Sequence, residues 1–467
     1  MKSPKPERHL LSKSTFMYGC QCPKRLWLHK FKPEVRDEED EAQIAIFQSG
    51  TDVGMLARQL FPGGIDASPE TAYLYQQSVA DTAKYISKGH TIIYEAAFQY
   101  NGVLAAMDIL VQQNGKWYAF EVKGTLDVKE QHELDAALQY YVLSNAGLEL
   151  EDISILHLNR DYVRSGDLDI QQLFTATSVL ENVVALQPLI QQKEAELKDV
   201  LKLKSEPAIE PGNHCSKPYP CDFYGYCSKD LVEEEAADEE YHFNTGAIGA
   251  FLETIQYPIL FLDFETWMAA VPEQDGHWPY RQVPFQYSLH IKHSEETEVE
   301  HMHYLAEGPH SPHLQFALHL LSSVPQRGTV VVYNKTFENM ILNQLKEEFE
   351  ELAPAIEHIQ ERIVDLMAPF RKHYRTPLMQ GSYSIKYVLP ALVPELSYSE
   401  LAIGNGGTAS AAFYNLKHAT DAAAIETTRN ALLEYCKLDT WAMVKLLERL
   451  QVDLNKASAN FGDPFAS

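Results

Sequence analysis

The segment GVLAAMDILVQQNGKWYAFEVKG, residues 102–124, constrains this chain more than any other. Asn114-Gly115 is the pair that a two-residue type I′ hairpin demands, because both central positions need positive φ. With those two in the turn, Gln113 pairs with Lys116, and Asp108 falls directly opposite Glu121. Cross-strand partners share a face with Cβ atoms roughly 5 Å apart. Lys123, two residues after Glu121, shares that face. Like charges set opposite one another destabilise a sheet, and these two sit among Val103, Leu104, Ile109, Phe120 and Val122. A divalent cation resolves the repulsion, and hard oxygen ligands suit Mg²⁺ or Mn²⁺. A lysine beside such an ion can orient an attacking water, the combination used in metal-assisted phosphodiester hydrolysis. The plain alternative is an exposed charged strand face with a Glu–Lys neighbour pair.

A second acidic constellation lies downstream. The apolar strand YPILFLDFETW ends with Asp263 and Glu265, which share a face at spacing i, i+2. The strand TVVVYN runs into KTFENMIL and puts Glu338 at a helix start, while Tyr435 and Asp439 lie on one face of a later helix at i, i+4. Convergence of Asp263, Glu265, Glu338 and Asp439 would suit two cations about 3.5–4 Å apart, with Tyr435 hydrogen-bonding the attacking water. The alternative is an inert domain of the same fold that only binds.

The rest of the chain sets limits. Its 467 residues, at roughly 150 per domain, predict two or three domains. The composition is that of a globular protein. No run of about 20 apolar residues is present to span a membrane, and the N-terminus lacks an apolar secretion signal, so a cytoplasmic protein is expected. A net charge of −26 argues against a protein that coats nucleic acid non-specifically. Local patches remain possible: residues 1–36 hold Lys2, Lys5, Arg8, Lys13, Lys24, Arg25, Lys30, Lys32 and Arg36 against two glutamates. This run reads either as a solvated face or as a strand contact, with Arg25, Trp27, His29 and Lys30 as candidates.

Helical periodicity marks 42–60, 70–88, 130–146, 170–204, 312–323, 337–352 and 420–450; strand patterns mark 92–99, 103–112, 116–123, 152–158, 257–265, 284–292, 299–305 and 329–334. Both halves are therefore expected to be α/β. The acidic stretch VEEEAADEEY predicts a linker over 231–245 between domains at 1–230 and 246–467. GNGG (404–407) reads as a flexible loop, and the His at 310, 313 and 319 as surface or core residues.

Of six cysteines, Cys215, Cys221 and Cys227 lie at intervals of six in a Pro-, Gly- and aromatic-rich stretch. Such a loop can bring thiolates to one centre, with Cys22 as the fourth ligand and Cys20 as its substitute. The absence of CxxC knuckles favours an iron–sulfur cluster over zinc; a set of buried thiols is the alternative. Cys436 reads as a packed helix residue.

These motifs carry two resemblances. Asp108 followed by Glu121-Val-Lys123 resembles the D…ExK signature of the PD-(D/E)XK nucleases. With a Cys near the N-terminus and three after the core, residues 10–230 resemble the iron–sulfur branch of the RecB-like nucleases, which includes CRISPR-associated and AddB-type members. That implies a restriction-endonuclease-like domain with a 4Fe–4S cluster on Cys22, Cys215, Cys221 and Cys227. It also implies a metal on Asp108 and Glu121, with Lys123 and Gln139 as catalytic residues. Where many relatives carry a metal-binding His in GxxxH, GTDVG ends in Gly54, so the metal site is expected to be either weaker or completed by another acid such as Glu95. Residues 255–450 resemble the DnaQ-like 3′–5′ exonucleases of the RNase H-like fold: Asp263 and Glu265 match DxE, NKTFE matches NxxFD with Glu338 for Asp, and Tyr435 to Asp439 matches YxxxD. SYSIKYVLPAL (382–392) is similar to the helix before that last motif. The expectation is a Mg²⁺- or Mn²⁺-dependent nuclease with two catalytic domains acting on DNA strands or ends, in repair, recombination or defence. A non-catalytic nucleic-acid end-binding or complex-assembly protein, and an RNA exonuclease, are the alternatives.

Overall fold

The chain is mixed α/β, as expected. The computed structural model describes residues 9–37, 51–71, 74–229, 241–308 and 313–460, with the side chains of 458–460 excepted. Of the expected features, 42–50, most of the acidic linker, His310 and the basic residues Lys2, Lys5 and Arg8 lie outside these residues. The chain divides into two units. The first takes Met1–Glu39, Gln43–Asp230 and Ala269–Arg281, and the second takes Asp40–Ala42, Leu231–Met268 and Gln282–Ser467. The expected boundary at residue 230 is thus joined by an exchange that the sequence does not signal, in which 13 residues of the second half are built into the first unit.

The first unit is organised on a seven-stranded sheet. Its centre is the hairpin of Val103–Gln113 and Lys116–Lys123, flanked by Ile92–Tyr100 on one side and Leu150–Leu158 on the other. Asn114 and Gly115 have φ of 51° and 80°, as the I′ turn requires. Leu150–Leu158 runs parallel to Lys116–Lys123, so the connection needs a crossover. The helix Glu130–Asn145 supplies it and buries Ala136, Ala137, Leu138, Gln139 and Val142 in the main core.

One expected helix is wrong. Residues 170–204 break into Ile170–Leu173, the strand Phe174–Ser178, Leu180–Ala185 and Gln187–Val200. Thr175 and Thr177 give that strand its alternation, which a helical window averages away. Its pairing with Leu150–Leu158 closes the sheet edge.

The second unit holds a five-stranded sheet in the order Glu300–Leu305, Val283–Lys292, Ile259–Trp267, Thr329–Val332 and Ile363–Asp365. The first three are antiparallel, and the last two run parallel to Ile259–Trp267. Alternation splits Ile259–Trp267 between two faces. Leu260, Leu262 and Phe264 enter the core with Phe316, Ile341 and Leu345; Asp263 and Glu265 point the other way. The helix Ala422–Asn460 covers that second face, held by a polar row on the neighbouring strand. Gln286 Nε2 donates to Leu432 O at 2.8 Å, and Thr440 Oγ1 lies 2.6 Å from Ser288 Oγ and 2.8 Å from His290 Nδ1. Because Ser288 pairs with Asp263 and Gln286 with Glu265, these bonds fix the helix directly over the acids. GNGG is not a loose loop: Asn405 Oδ1 accepts from Thr408 N at 2.8 Å and caps the helix Gly406–Asn415.

Candidate functional site

In the first unit the hairpin register is the expected one, from Gln113↔Lys116 to Ile109↔Phe120. The ladder ends one step before Asp108 and Glu121. There the Asp108 carboxylate takes over as acceptor, with Val122 N donating to its Oδ2 at 2.7 Å. Across the other neighbour, Tyr94 pairs with Ile109 and Ala96 with Met107. Glu95 is the residue between them and has a φ of 51°. A positive φ in a strand is a strained conformation for glutamate, and it sets a third carboxyl beside Asp108.

Glu121 is almost fully buried and saturated with donors. Its Oε1 accepts from Lys123 Nζ and from Lys13 Nζ, each at 2.7 Å, and its Oε2 accepts from Gln139 Nε2 at 2.6 Å. Gln139 also donates to Ala106 O. Lys123 reaches Asp135 Oδ2 at 2.5 Å. Burial pushes the Glu121 carboxyl up, but the charges of Lys123 and Lys13 outweigh it and hold the carboxyl well below its usual range. Asp108 goes the other way: burial first, then the charge of Glu121, pushes it to about 8. Glu95 is also raised, by burial, against the opposing charge of Arg58. Sequence reasoning placed Asp108, Glu121, Lys123 and Gln139 together, and the structure does the same. It missed Asp135, and it read Lys13 as part of a solvated or nucleic-acid-facing patch.

Most of the described residues of that patch meet acidic partners within the protein. Besides Lys13, Arg25 Nε donates to Asp222 Oδ1 at 2.7 Å and its guanidinium lies 4.1 Å above the Tyr18 ring, so Arg25 is buried and occupied rather than offered to a strand. Lys24 and Lys32 both meet Glu206, Arg36 meets Asp222, and Trp27 is buried with its Nε1 on Leu203 O. Lys30 is exposed.

The same salt bridges assemble the cysteine region. Cys22, Cys215, Cys221 and Cys227 line one small cavity with His214, Phe223 and Leu28. Cys20, two residues from Cys22, packs instead against the main core, where burial raises its thiol to about 12. Of the two, it is Cys22 that lines the cavity with the three downstream cysteines. Burial raises Cys221 to about 11 and also raises Cys227. Among the described residues, no three of these sulfurs lie within 4.8 Å of one another.

In the second unit, Asp263 and Glu265 lie within 4.8 Å of each other and of the Cys436 sulfur, measured between possible ligand atoms. Glu338, in the first turn of Lys335–Glu348, is 1% exposed, and its Oε2 has no hydrogen-bond partner. Asp439 Oδ1 accepts from the Tyr398 hydroxyl at 2.7 Å, and Tyr435 also donates to this carboxyl. Burial raises Asp263 well above its usual range, followed by the charges of Asp439, Glu265 and Glu338. Glu265 is raised in the same way. Glu338 reaches about 8 by burial. Asp439 reaches about 6 by burial, restrained by Tyr398 and Lys386. Among the described residues, none of these four carboxyls is in a salt bridge.

Three residues here escaped the sequence reading: Tyr398, which bonds Asp439, Lys386 and Cys436. Lys386 has its Nζ 5.9 Å and 5.7 Å from the ring centres of Tyr398 and Tyr435. Burial lowers its pKa while Asp439 and Glu265 raise it. Its only sequence signal was membership in SYSIKYVLPAL. Cys436, read as a packed residue, is buried but directs Sγ at Asp263 Oδ2, 3.8 Å away.

Residues 260–384 match a family described as a domain of unknown function, DUF2779. The match takes in Asp263, Glu265 and Glu338 and stops before Lys386, Tyr435 and Asp439. No curated protein matches the chain. Among the described residues, no helix is long and apolar enough to cross a membrane.

Proposed function

We propose that this protein is a metal-dependent nuclease that hydrolyses phosphodiester bonds of DNA strands or ends. The observation that carries this reading is the second acidic centre. Four carboxyls from three separate elements crowd together, three of them buried and Asp263 half-buried, and among the described residues none of them is in a salt bridge. Burial of that kind is stable only when the groups are neutral or compensated. Mg²⁺ or Mn²⁺ on Asp263, Glu265, Glu338 and Asp439 would compensate them, polarising the phosphodiester and acidifying a water. Tyr398 and Tyr435 orient Asp439. Lys386, held over two aromatic rings and near Asp439 and Glu265, supplies positive charge to the backbone phosphate. The sheet, with the acid pair on its middle strand and the helix Ala422–Asn460 laid over it, is compatible with the RNase H-like, DnaQ-type exonuclease fold.

For the first unit we propose the PD-(D/E)XK, RecB-like fold, with a metal on Asp108, Glu121 and Glu95. Lys123 is the activating lysine and Gln139 the residue that orients Glu121. Its support is the register that aligns the three acids on adjacent strands. One observation favours a second reading for this unit, as an end-binding or assembly element: Lys13 already compensates Glu121 alongside Lys123.

For the cysteine cavity we propose a 4Fe–4S cluster on Cys22, Cys215, Cys221 and Cys227. Its support is that all four cysteines line one cavity without the CxxC knuckles usual in zinc sites, a ligand set that thiolate-bound iron–sulfur clusters use. Incubating the full chain with end-labelled single-stranded DNA or RNA and Mn²⁺ tests the main reading. Degradation that needs the metal and Asp263 supports it. If all DNA and RNA substrates stay intact, the binding alternative stands; a preference for RNA over DNA makes the chain an RNA exonuclease.

A further inference from the structure

We infer that Cys436 is a third protein ligand of the Asp263–Glu265 centre, and that its sulfur shifts metal preference from Mg²⁺ toward Zn²⁺, with Mn²⁺ between. This rests on the reading of that centre as a metal site. It does not depend on which substrate is cleaved.

The geometry is that of one ion. Donors bound at 2.0–2.3 Å can be at most about 4.6 Å apart across a metal. The three candidate atoms of Asp263, Glu265 and Cys436 all lie within 4.8 Å of one another, the one such group of three among the described residues. Sγ already faces an Asp263 oxygen at 3.8 Å. A small shift of either side chain brings both onto a common cation. Cys436 also lies three residues before Asp439, on the same helical face, so the helix that delivers Asp439 delivers the thiol.

A second observation points to a ligand in the same place. Glu338 Oε2 is buried without any hydrogen-bond partner, and the charge of Glu338 acts on both Asp263 and Glu265. An unsatisfied buried carboxyl oxygen is unfavourable, and it persists beside two further acids where a cation completes the set.

The residue type then sets selectivity. A site of carboxylates alone suits Mg²⁺ and Mn²⁺, whereas a thiolate is a soft ligand that favours zinc. Serine at this position would keep the size and the hydrogen-bond donor and remove only the softness. Binding requires the thiol to lose its proton to solvent, so the metal takes the place of that proton beside Asp263.

The test is spectroscopic and uses the full chain. Co²⁺ bound to a thiolate gives a near-ultraviolet sulfur-to-cobalt charge-transfer band. The band of the wild type minus that of Cys436→Ser isolates Cys436 from the cavity cysteines, which contribute equally to both. We expect a difference band, and expect Asp263→Asn to lose the same component. Calorimetry should show the Zn²⁺-to-Mg²⁺ affinity ratio falling at least tenfold in Cys436→Ser. An unchanged ratio, or the absence of any Cys436-dependent band, overturns the inference. Should the Cys436 variants fail to fold, Asp263→Asn decides: part of the sulfur band vanishes if Cys436 shares the ion, and all of it remains if it does not. Wild-type cleavage of DNA with no such band would sink this inference and leave the nuclease reading intact. A band in a protein that cleaves nothing would do the reverse.

Discussion

The two acidic centres solve one electrostatic problem in different ways. In the first unit, Glu121 is held ionised by two lysines within 2.7 Å, and the burden falls on Asp108, pushed to about 8. In the second, Asp263, Glu265, Glu338 and Asp439 are all raised together, and among the described residues none of them is in a salt bridge. The first is compensated by the protein's own lysines; in the second, on the reading proposed above, a metal ion would supply the compensation. Burial is comparable in both, so the difference lies in where lysines stand: Lys13 and Lys123 touch carboxylates, whereas Lys386 sits over tyrosine rings.

The largest expected effect removes the second centre altogether. Asp263→Ala takes away a first ligand, so metal-dependent cleavage should fall by more than the roughly 100-fold that follows loss of a supporting partner of a ligand. Lys123→Ala should abolish a separable activity; if both variants lose the same cleavage, the two centres are not independent. Tyr398→Phe is smaller. It removes one hydrogen bond to Asp439, and metal affinity should drop about tenfold. An unchanged calorimetric isotherm would show that Asp439 needs no such positioning.

The raised carboxyls tie the stability of the second unit to pH. Below about pH 3 the second centre is protonated in both folded and unfolded chains. Glu338, at about 8, and Asp439, at about 6, then keep protons that the unfolded chain releases, so the metal-free second unit should lose stability as pH rises from about 4.5 to 8. The slope is about 1 kcal/mol per pH unit for each such carboxyl, and saturating Mn²⁺ should flatten it. Melting curves across that range, with and without chelator, give the answer; a metal-independent slope would mean that the acids are not neutralised by an ion. In the first unit, Lys13→Ala should cost about 1–3 kcal/mol, since Lys123 still compensates Glu121. A larger loss would show that the helix Lys13–Gln21 depends on that single contact.

Both acid pairs were legible in the sequence because strand geometry is local. A two-residue turn propagates register along a hairpin, and alternation puts Asp263 and Glu265 on one face. What was not legible comes from distance. Lys13 meets Glu121 across 108 residues, and no periodicity announces which of nine basic residues turns inward. Arg25 looked like a strand contact because its partner, Asp222, sits among the cysteines nearly 200 residues away. Cys436 looked inert because burial of a thiol is ordinary; only the placement of its helix over Asp263 changes that. Phe174–Ser178 was lost inside a helical window, and GNGG concealed a capped helix because Asn405 serves both descriptions.

The most direct test of the central claim is divalent-metal binding to the full chain compared with its Asp263→Ala and Lys13→Ala variants, read by calorimetry with Mn²⁺. The account requires a binding event that disappears with Asp263→Ala and survives Lys13→Ala. A protein that binds no Mn²⁺, or binds it equally well without Asp263, would contradict it.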